Sequence, residues 1–146
     1  ALVAAISDAH GALQGVQVTL LSAHGTAKAA LATPRRVIGK LMGGTVRLAD
    51  AQDELAVGEG VETMLTASDV FGVPAWAALS ADNLSRLIIS QKLRRLIIAA
   101  DNDEAGMRAA YALRARMAPS TIVEIERAPP GFNDWNDWAR AQALRS

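Results

Sequence analysis

The chain has 146 residues, with 15 Lys plus Arg against 15 Asp plus Glu, so its formal net charge is zero; 51% of residues are hydrophobic and 21% charged. That balance excludes a disordered chain and the simplest nucleic-acid signature, a uniformly basic domain, and the length suits a single domain. Cysteine is absent, which excludes disulfides, thiolate zinc and a cysteine nucleophile. His10 and His24 both sit in turn-like contexts, so any metal has to be held by oxygen ligands, which favours magnesium, calcium or manganese.

The first third reads as β structure. Leu2 to Ser7 is apolar, Asp8-Ala9-His10-Gly11 is a turn signal, and Val16 to Leu21 is β-branched, which predicts a hairpin. Ser22-Ala23-His24-Gly25 marks a second turn. Residues 33–44 carry Thr33-Pro34, Gly39 and Gly43-Gly44 and are expected to form a loop with at most a short helix. Thr45 to Leu48 is a candidate return strand.

From Asp53 onward strands and helices alternate. Leu55 to Val57 predicts a strand, and Val61 to Phe71 a helix closed by Gly72. Pro74 to Leu79 is a second strand, and Asp82 to Ile89 a short helix capped by Ser80 or Asp82. Arg95 to Ala100 is an apolar run suited to a strand covered on both faces. Glu104 to Met117 is helical and stops before Pro119; Thr121 to Glu126 is a strand; Pro129-Pro130-Gly131 breaks the chain; Asn133 to Leu144 is a last helix. This order predicts an α/β fold with a mainly parallel sheet flanked by helices and an N-terminal β-hairpin extension. The expected division is a β-rich extension over 1–48, packed on an α/β core over 49–146. No apolar run reaches the ~18 residues of a membrane span, and Leu2 to Ile6 is too short for a signal peptide. The start at Ala1, in mid-strand, is read as a domain cut from a longer cytoplasmic protein.

In parallel sheets ligands bind beyond the carboxyl ends of strands, which singles out Glu59 after one strand and Asp101-Asn102-Asp103 after another. Two Asp residues spaced by one on extended backbone share a side, and convergent carboxylates need a cation between them. The competing reading makes Asp103 the cap of the helix that starts at Glu104. Asp134 and Asp137 are further carboxylates; Asp134 suits a helix cap and Asp137 stays open as an additional metal ligand. Arg35, Arg36 and Lys40 are either phosphate contacts or solvated loop charges. Glu62 is either a second acid near Glu59 or an exposed first-turn residue. Arg94, Arg95, Arg108, Arg114 and Arg116 read as solvated charge, and Trp76, Trp135 and Trp138 as packing residues.

Ala56-Val57-Gly58-Glu59-Gly60 and Ile97-Ile98-Ala99-Ala100-Asp101-Asn102-Asp103-Glu104-Ala105-Gly106 resemble the two signature motifs of the Toprim domain. Phe132-Asn133-Asp134-Trp135-Asn136-Asp137 resembles the Asp-x-Asn-Asp segment of phage and plasmid primase–helicases, without the basic residue that often precedes it there. The stretch from Pro34-Arg35-Arg36 to Gly39-Lys40 and Gly43-Gly44 also resembles those proteins. The resemblance implies a magnesium-dependent nucleotidyltransferase of the DNA primase kind, with manganese as a substitute. Glu59 would be acid/base or metal ligand, and Asp101 and Asp103 metal ligands. The implied partners are a single-stranded DNA template and nucleoside triphosphates, with helicase or zinc-binding domains elsewhere in a protein of a phage, plasmid or mobile element. The isolated piece could bind metal and be inactive.

The alternatives are a Toprim-type nuclease and a non-catalytic nucleic-acid-binding module. A topoisomerase needs a tyrosine nucleophile, and Tyr111, within a helix, is a poor one. A dehalogenase-type phosphatase is disfavoured by Ala105 and by the late position of its Asp-x-Asp. Charge is unevenly spread: residues 1–48 carry five basic and one acidic side chain, and residues 49–103 four basic and nine acidic. A basic segment thus precedes an acidic centre.

Overall fold

The computed structural model describes residues 1–25 and 27–144. Two sheets form. The first is an antiparallel meander of β1 (Leu2–Ser7), β2 (Leu13–Thr19) and β3 (Arg35–Gly39). The β1–β2 turn is set by Asp8, whose Oδ1 accepts from the N–H groups of His10 and Ala12, both at 2.9 Å. His10 is therefore a turn residue, as the sequence suggests.

β3 corrects the expectation of a loop over 33–44. It pairs with β2 from Thr19↔Arg35 to Gly15↔Gly39. Gly39, which reads as a loop signal, serves close approach: a Cβ there would lie 2.7 Å from the Gln14 carbonyl, and its φ is +91°. Val37-Ile38 carried the strand signal, overshadowed by the surrounding glycines and Pro34.

The second sheet has the order β4 (Val46–Arg47), β6 (Ala75–Ala77), β5 (Glu54–Gly58), β7 (Arg95–Ala100), β8 (Ile122–Arg127). β6, β5, β7 and β8 are parallel, and β4 is antiparallel to β6. The connecting helices are α1 (Val61–Phe71), α2 (Ala81–Ser85), α3 (Glu104–Met117) and α4 (Trp135–Ala143). α2 is shorter than the sequence suggests; Ser80 caps it by accepting from the Asn83 N–H at 3.2 Å.

Strand alternation divides the core. Leu55, Val57, Leu96, Ile98 and Ala100 pack with Leu84, Ala110 and Leu113 of α2 and α3. Ala56, Ala75, Ala77, Ile97 and Ala99 pack with Val61, Met64, Ala67 and Trp135 of α1 and α4. Trp135 meets Phe71 and Trp138 edge-to-face at 5.2 and 5.7 Å, so the tryptophan pair is packing, as expected. Trp76 is buried too, its Nε1 donating to the Ala49 carbonyl at 2.9 Å.

Ile6 of β1 is fully buried in the second of these layers, beside Val46 and Met64. Ser7 and Thr45 exchange two backbone hydrogen bonds of 2.9 Å between the sheets. Buried Asn83 completes the seam, accepting from the Gly43 N–H and donating to the Gly44 and Ala78 carbonyls.

Several charges read as solvated are paired. Arg95 bridges Glu54 at 3.0 Å and Glu124 at 2.5 Å, tying β7 to both neighbouring strands, and Arg94 also pairs with Glu54. Arg116 donates to the Ser85 and Leu87 carbonyls at 2.7 and 2.8 Å, holding the end of α2 to α3. Among the described residues, no helix is long and apolar enough to cross a membrane.

Candidate active site

From β5 the chain runs through α1 to β6 on one side, while β7 lies on the other. The carboxyl ends of β5 and β7 therefore flank the point where strand order reverses, the usual ligand crevice of open α/β sheets. Glu59 follows β5 and Asp101 follows β7. The strand ends are held close by Gly58, where a Cβ would lie 2.7 Å from the Ala99 carbonyl and 2.5 Å from Met64 Sδ. Gly60 then caps α1.

A small cleft of about 160 Å³ opens there, lined by Glu59, Asp101, Asp134, Lys28, Arg35 and Glu62 among others. Leu79 also lines it, in the left-handed conformation at φ 69°, with its N–H bonded to the Glu59 carbonyl at 2.8 Å. Such a conformation costs a non-glycine residue on the order of 1 kcal/mol, and here it lies on the wall of the cleft.

Asp101 is the electrostatic focus. Its Oδ1 is buried without a hydrogen-bond partner. Burial first, then the charges of Glu59, Asp134, Asp103 and Asp137, push its pKa up to about 7. The Glu59 carboxyl is also raised, by burial first and then by Asp103, against the opposing effect of the Ala81 N–H.

Asp103 divides its roles. Its Oδ1 accepts from the Gly106 N–H at 2.7 Å, so it caps α3 and does not line the cleft, though its charge reaches both Glu59 and Asp101. The cap reading and proximity to the site both hold, whereas a shared face with Asp101 does not follow. Gly106 explains the Ala-Gly after the Asp-x-Asp: a Cβ there would lie 2.9 Å from the Asp101 carbonyl oxygen and 3.0 Å from Asp101 Cβ.

Asp134 is the N-cap of α4, accepting from the Asp137 N–H at 2.8 Å, and also lines the cleft. Asp137 is exposed and does not line it. Asp134 is thus the nearer of the two to the cleft, while the charge of Asp137 still reaches Asp101. The reason is helical geometry: the cap residue points across the helix start, and the third residue after it has turned outward.

Of the three basic candidates only Arg35 reaches the cleft; Arg36 and Lys40 are exposed and do not line it. Arg35 donates from Nη2 to both oxygens of Glu62, at 2.5 and 2.6 Å, and Lys28 lies 3.5 Å from the same carboxylate. Burial works against ionisation of Glu62. Its own backbone N–H, then Arg35 and Lys28, outweigh that and hold its pKa below the ordinary value. Glu62 is thus a half-buried partner of cations at the mouth of the site, not a free first-turn residue. Lys28 and Asn136 also line the cleft. Asn136 lies inside the Asp-Trp-Asn-Asp segment, whereas Lys28, between alanines, carries no sequence signal. Tyr111 is exposed on α3 and does not line the cleft.

Every carboxylate donor here is an oxygen, which suits magnesium or manganese, and the unpartnered Asp101 Oδ1 is an atom that a cation would satisfy. Among the described residues no three acidic or imidazole side chains are gathered tightly enough to hold an ion by themselves. The set therefore fits a magnesium-like ion, which takes one or two carboxylates and completes its shell with water and phosphate oxygens.

Residues 54–143 match the Toprim domain family, and residues 1–48 match a family described as a domain of unknown function (DUF7146). No curated protein matches the chain. Among solved structures, the primase fragment of the bacteriophage T7 primase-helicase protein is similar at a TM-score of 0.67 and 18% identity, covering 98% of this chain and 58% of that one. A DNA primase domain from Pseudomonas aeruginosa is similar at 0.60 and 20%, covering 97% and 48%. The DnaG primase catalytic domain bound to ssDNA is similar at 0.63 and 18%, covering 97% and 48%. The chain thus spans about half the length of the primase structures it resembles. With the match covering more than half of its residues, on a sheet that sets Glu59 and Asp101 at the switch point, the chain belongs to the Toprim domain family.

Proposed function

We propose that this is the Toprim catalytic domain of a DNA primase or primase–helicase-like protein, joining nucleoside triphosphates into RNA primers on a single-stranded DNA template. The observation that carries the reading is Asp101, a half-buried, unpartnered carboxylate facing Glu59 and Asp134 where strand order reverses. The primase structures that share the fold, one of them bound to ssDNA, support the choice of reaction.

Asp101 and Glu59, with Asp134 and the free oxygen of Asp103 nearby, would hold magnesium or manganese. Bound there, the ion supplies positive charge to the attacking and leaving oxygens of phosphoryl transfer. The side chains do the rest. Glu59 would take up the proton of the primer 3′-hydroxyl through an oxygen that the ion leaves free, as the hydroxyl oxygen bonds the α-phosphorus and pyrophosphate leaves. Arg35 and Lys28, already gathered on Glu62, supply cations to the phosphates of the incoming nucleotide. Arg36 and Lys40, exposed beyond them, fit contacts to the template backbone. The division into an extension over 1–48 and a core over 49–146 is part of this proposal, as are further helicase or zinc-binding domains in the full protein and a cytoplasmic setting.

Primer synthesis by the full-length protein on single-stranded DNA with magnesium tests the reading. Asp101→Asn is expected to lower the rate at least about 100-fold, the scale of a lost charge-stabilising group. Equal rates in mutant and wild type would sink it. Cleavage of the DNA without primer synthesis, lost in the same mutant, would assign the site to a nuclease instead.

A further inference from the structure

Asn102, between the two aspartates, has every polar group of its side chain engaged on the far side of the strand end. Its Nδ2 donates to the Ala128 carbonyl at 3.1 Å and the Phe132 carbonyl at 2.6 Å, and its Oδ1 accepts from Arg127 Nε at 2.8 Å. Its backbone N–H donates to the Asn133 carbonyl at 2.7 Å. All four partners belong to one stretch, the connector from the end of β8 to the start of α4.

That connector has little to hold itself. Pro129 and Pro130 have no N–H, Gly131 sits at φ +94°, and the turn is closed by a long backbone bond from the Phe132 N–H to the Pro129 carbonyl at 3.2 Å. A primary amide suits the gap, presenting two donors and an acceptor in one plane, and the glutamine amide would sit one methylene too far. The connector ends at Asp134, which lines the same cleft as Asp101. Consecutive residues at the end of β7 therefore supply one cleft carboxylate and fix the position of another.

We infer that Asn102 is a positioning residue, a clamp that sets Asp134 against Asp101 so that the two carboxylates can share one divalent cation. The inference rests on the reading of the cleft as a cation site. It differs from a purely structural role in one measurable way: the contribution of Asn102 to cation affinity must pass through Asp134.

A double-mutant cycle on the 146-residue chain, read by calorimetric titration with Mn²⁺, tests this. The set is wild type, Asp101→Asn, Asp134→Asn, Asn102→Ala and the Asn102→Ala/Asp134→Asn double mutant. The expected result is a loss of about 10-fold in affinity for Asn102→Ala and for Asp134→Asn, with the double mutant within about threefold of either. Losses that multiply toward about 100-fold, or an Asn102→Ala protein that binds like wild type, would overturn the clamp. If Asn102→Ala does not fold, the isosteric Asn102→Asp, which lacks both donors, replaces it. Asp134→Asn should then cost less than about threefold on that background, and a full cost of about 10-fold overturns the clamp. Asp101→Asn separates the layers: it should abolish binding whatever the cycle shows. Binding retained in Asp101→Asn, or absent from wild type, overturns the cation site and the clamp with it.

Discussion

At Asp101 the folded chain favours the neutral acid, with a pKa of about 7, whereas the unfolded chain releases that proton near 3.8. The sign of the linkage follows. Between those values the folded state holds more protons than the unfolded one, so this group's stabilisation is full below about pH 4 and is lost as pH rises through 7. Without metal, Asp101→Asn is therefore expected to melt higher than wild type at pH 8 and close to it at pH 5. Because the carboxyl is only partly buried, the gain after solvent screening is on the order of 1–2 kcal/mol, or roughly 3–8 °C. Magnesium should reverse the order, since it binds the deprotonated acid: it should stabilise wild type more at pH 8 than at pH 6 and leave Asp101→Asn unmoved. Differential scanning calorimetry at the two pH values, with and without the ion, checks both halves. A mutant that melts below wild type at pH 8 without metal would mean that Asp101 is satisfied by groups of the protein itself.

At the scale of elements, close approach decides which glycines matter. Gly106 lies in the first turn of α3, where helix propensity alone would favour alanine by about 1 kcal/mol. The added methyl would meet the Asp101 carbonyl oxygen at 2.9 Å and Asp101 Cβ at 3.0 Å, and backbone at a strand end cannot move cheaply. Overpacking of this kind costs about 1–3 kcal/mol, so the clash wins. Gly106→Ala is expected to lower the melting temperature and to weaken Mn²⁺ binding severalfold, because the strain falls on the backbone that carries Asp101; thermal melts and a titration check the two effects. Unchanged cation affinity would separate α3 from the site. The parallel sheet and its helices were legible in the sequence because each strand, such as Arg95–Ala100, is a short apolar run between clear helix caps. Glu59 and Asp101 were legible because they follow such strands. What stayed hidden depends on long-range contact. β3 is masked by the glycines around it, of which Gly39 serves close approach to β2, and the pairing of Arg35 with Glu62 spans 27 residues. Asp134 and Asp137 differ only by where the last helix begins, and helix starts are the least determined feature of a sequence pattern.

Across the whole molecule, the N-terminal sheet and the parallel sheet share one interior. Ile6, from the first strand, is fully buried among Val46, Ala56 and Met64, and Asn83 ties the loop at Gly43-Gly44 to the end of β6. The same docking brings Arg35 to Glu62 at the mouth of the cleft. Exposed or half-exposed ion pairs are worth about 0–1 kcal/mol, so Arg35 and Glu62 are placed by the packing and do little to secure it. Burial of Ile6 outweighs them: truncation of a buried isoleucine to alanine costs about 2–5 kcal/mol. Two consequences are expected. Wild type should unfold in one transition seen alike by near- and far-ultraviolet circular dichroism, since the N-terminal sheet buries Ile6 in the α1–α4 layer of the parallel sheet. Ile6→Ala should lower the midpoint by roughly 8–15 °C while keeping that single transition. Two separated transitions in wild type, or an Ile6→Ala loss confined to part of the signal, would show that the sheets fold independently. In that case Arg35 would owe its place beside the acidic cleft to its ion pair with Glu62, and Glu62→Gln, not Ile6→Ala, would be the substitution that frees it.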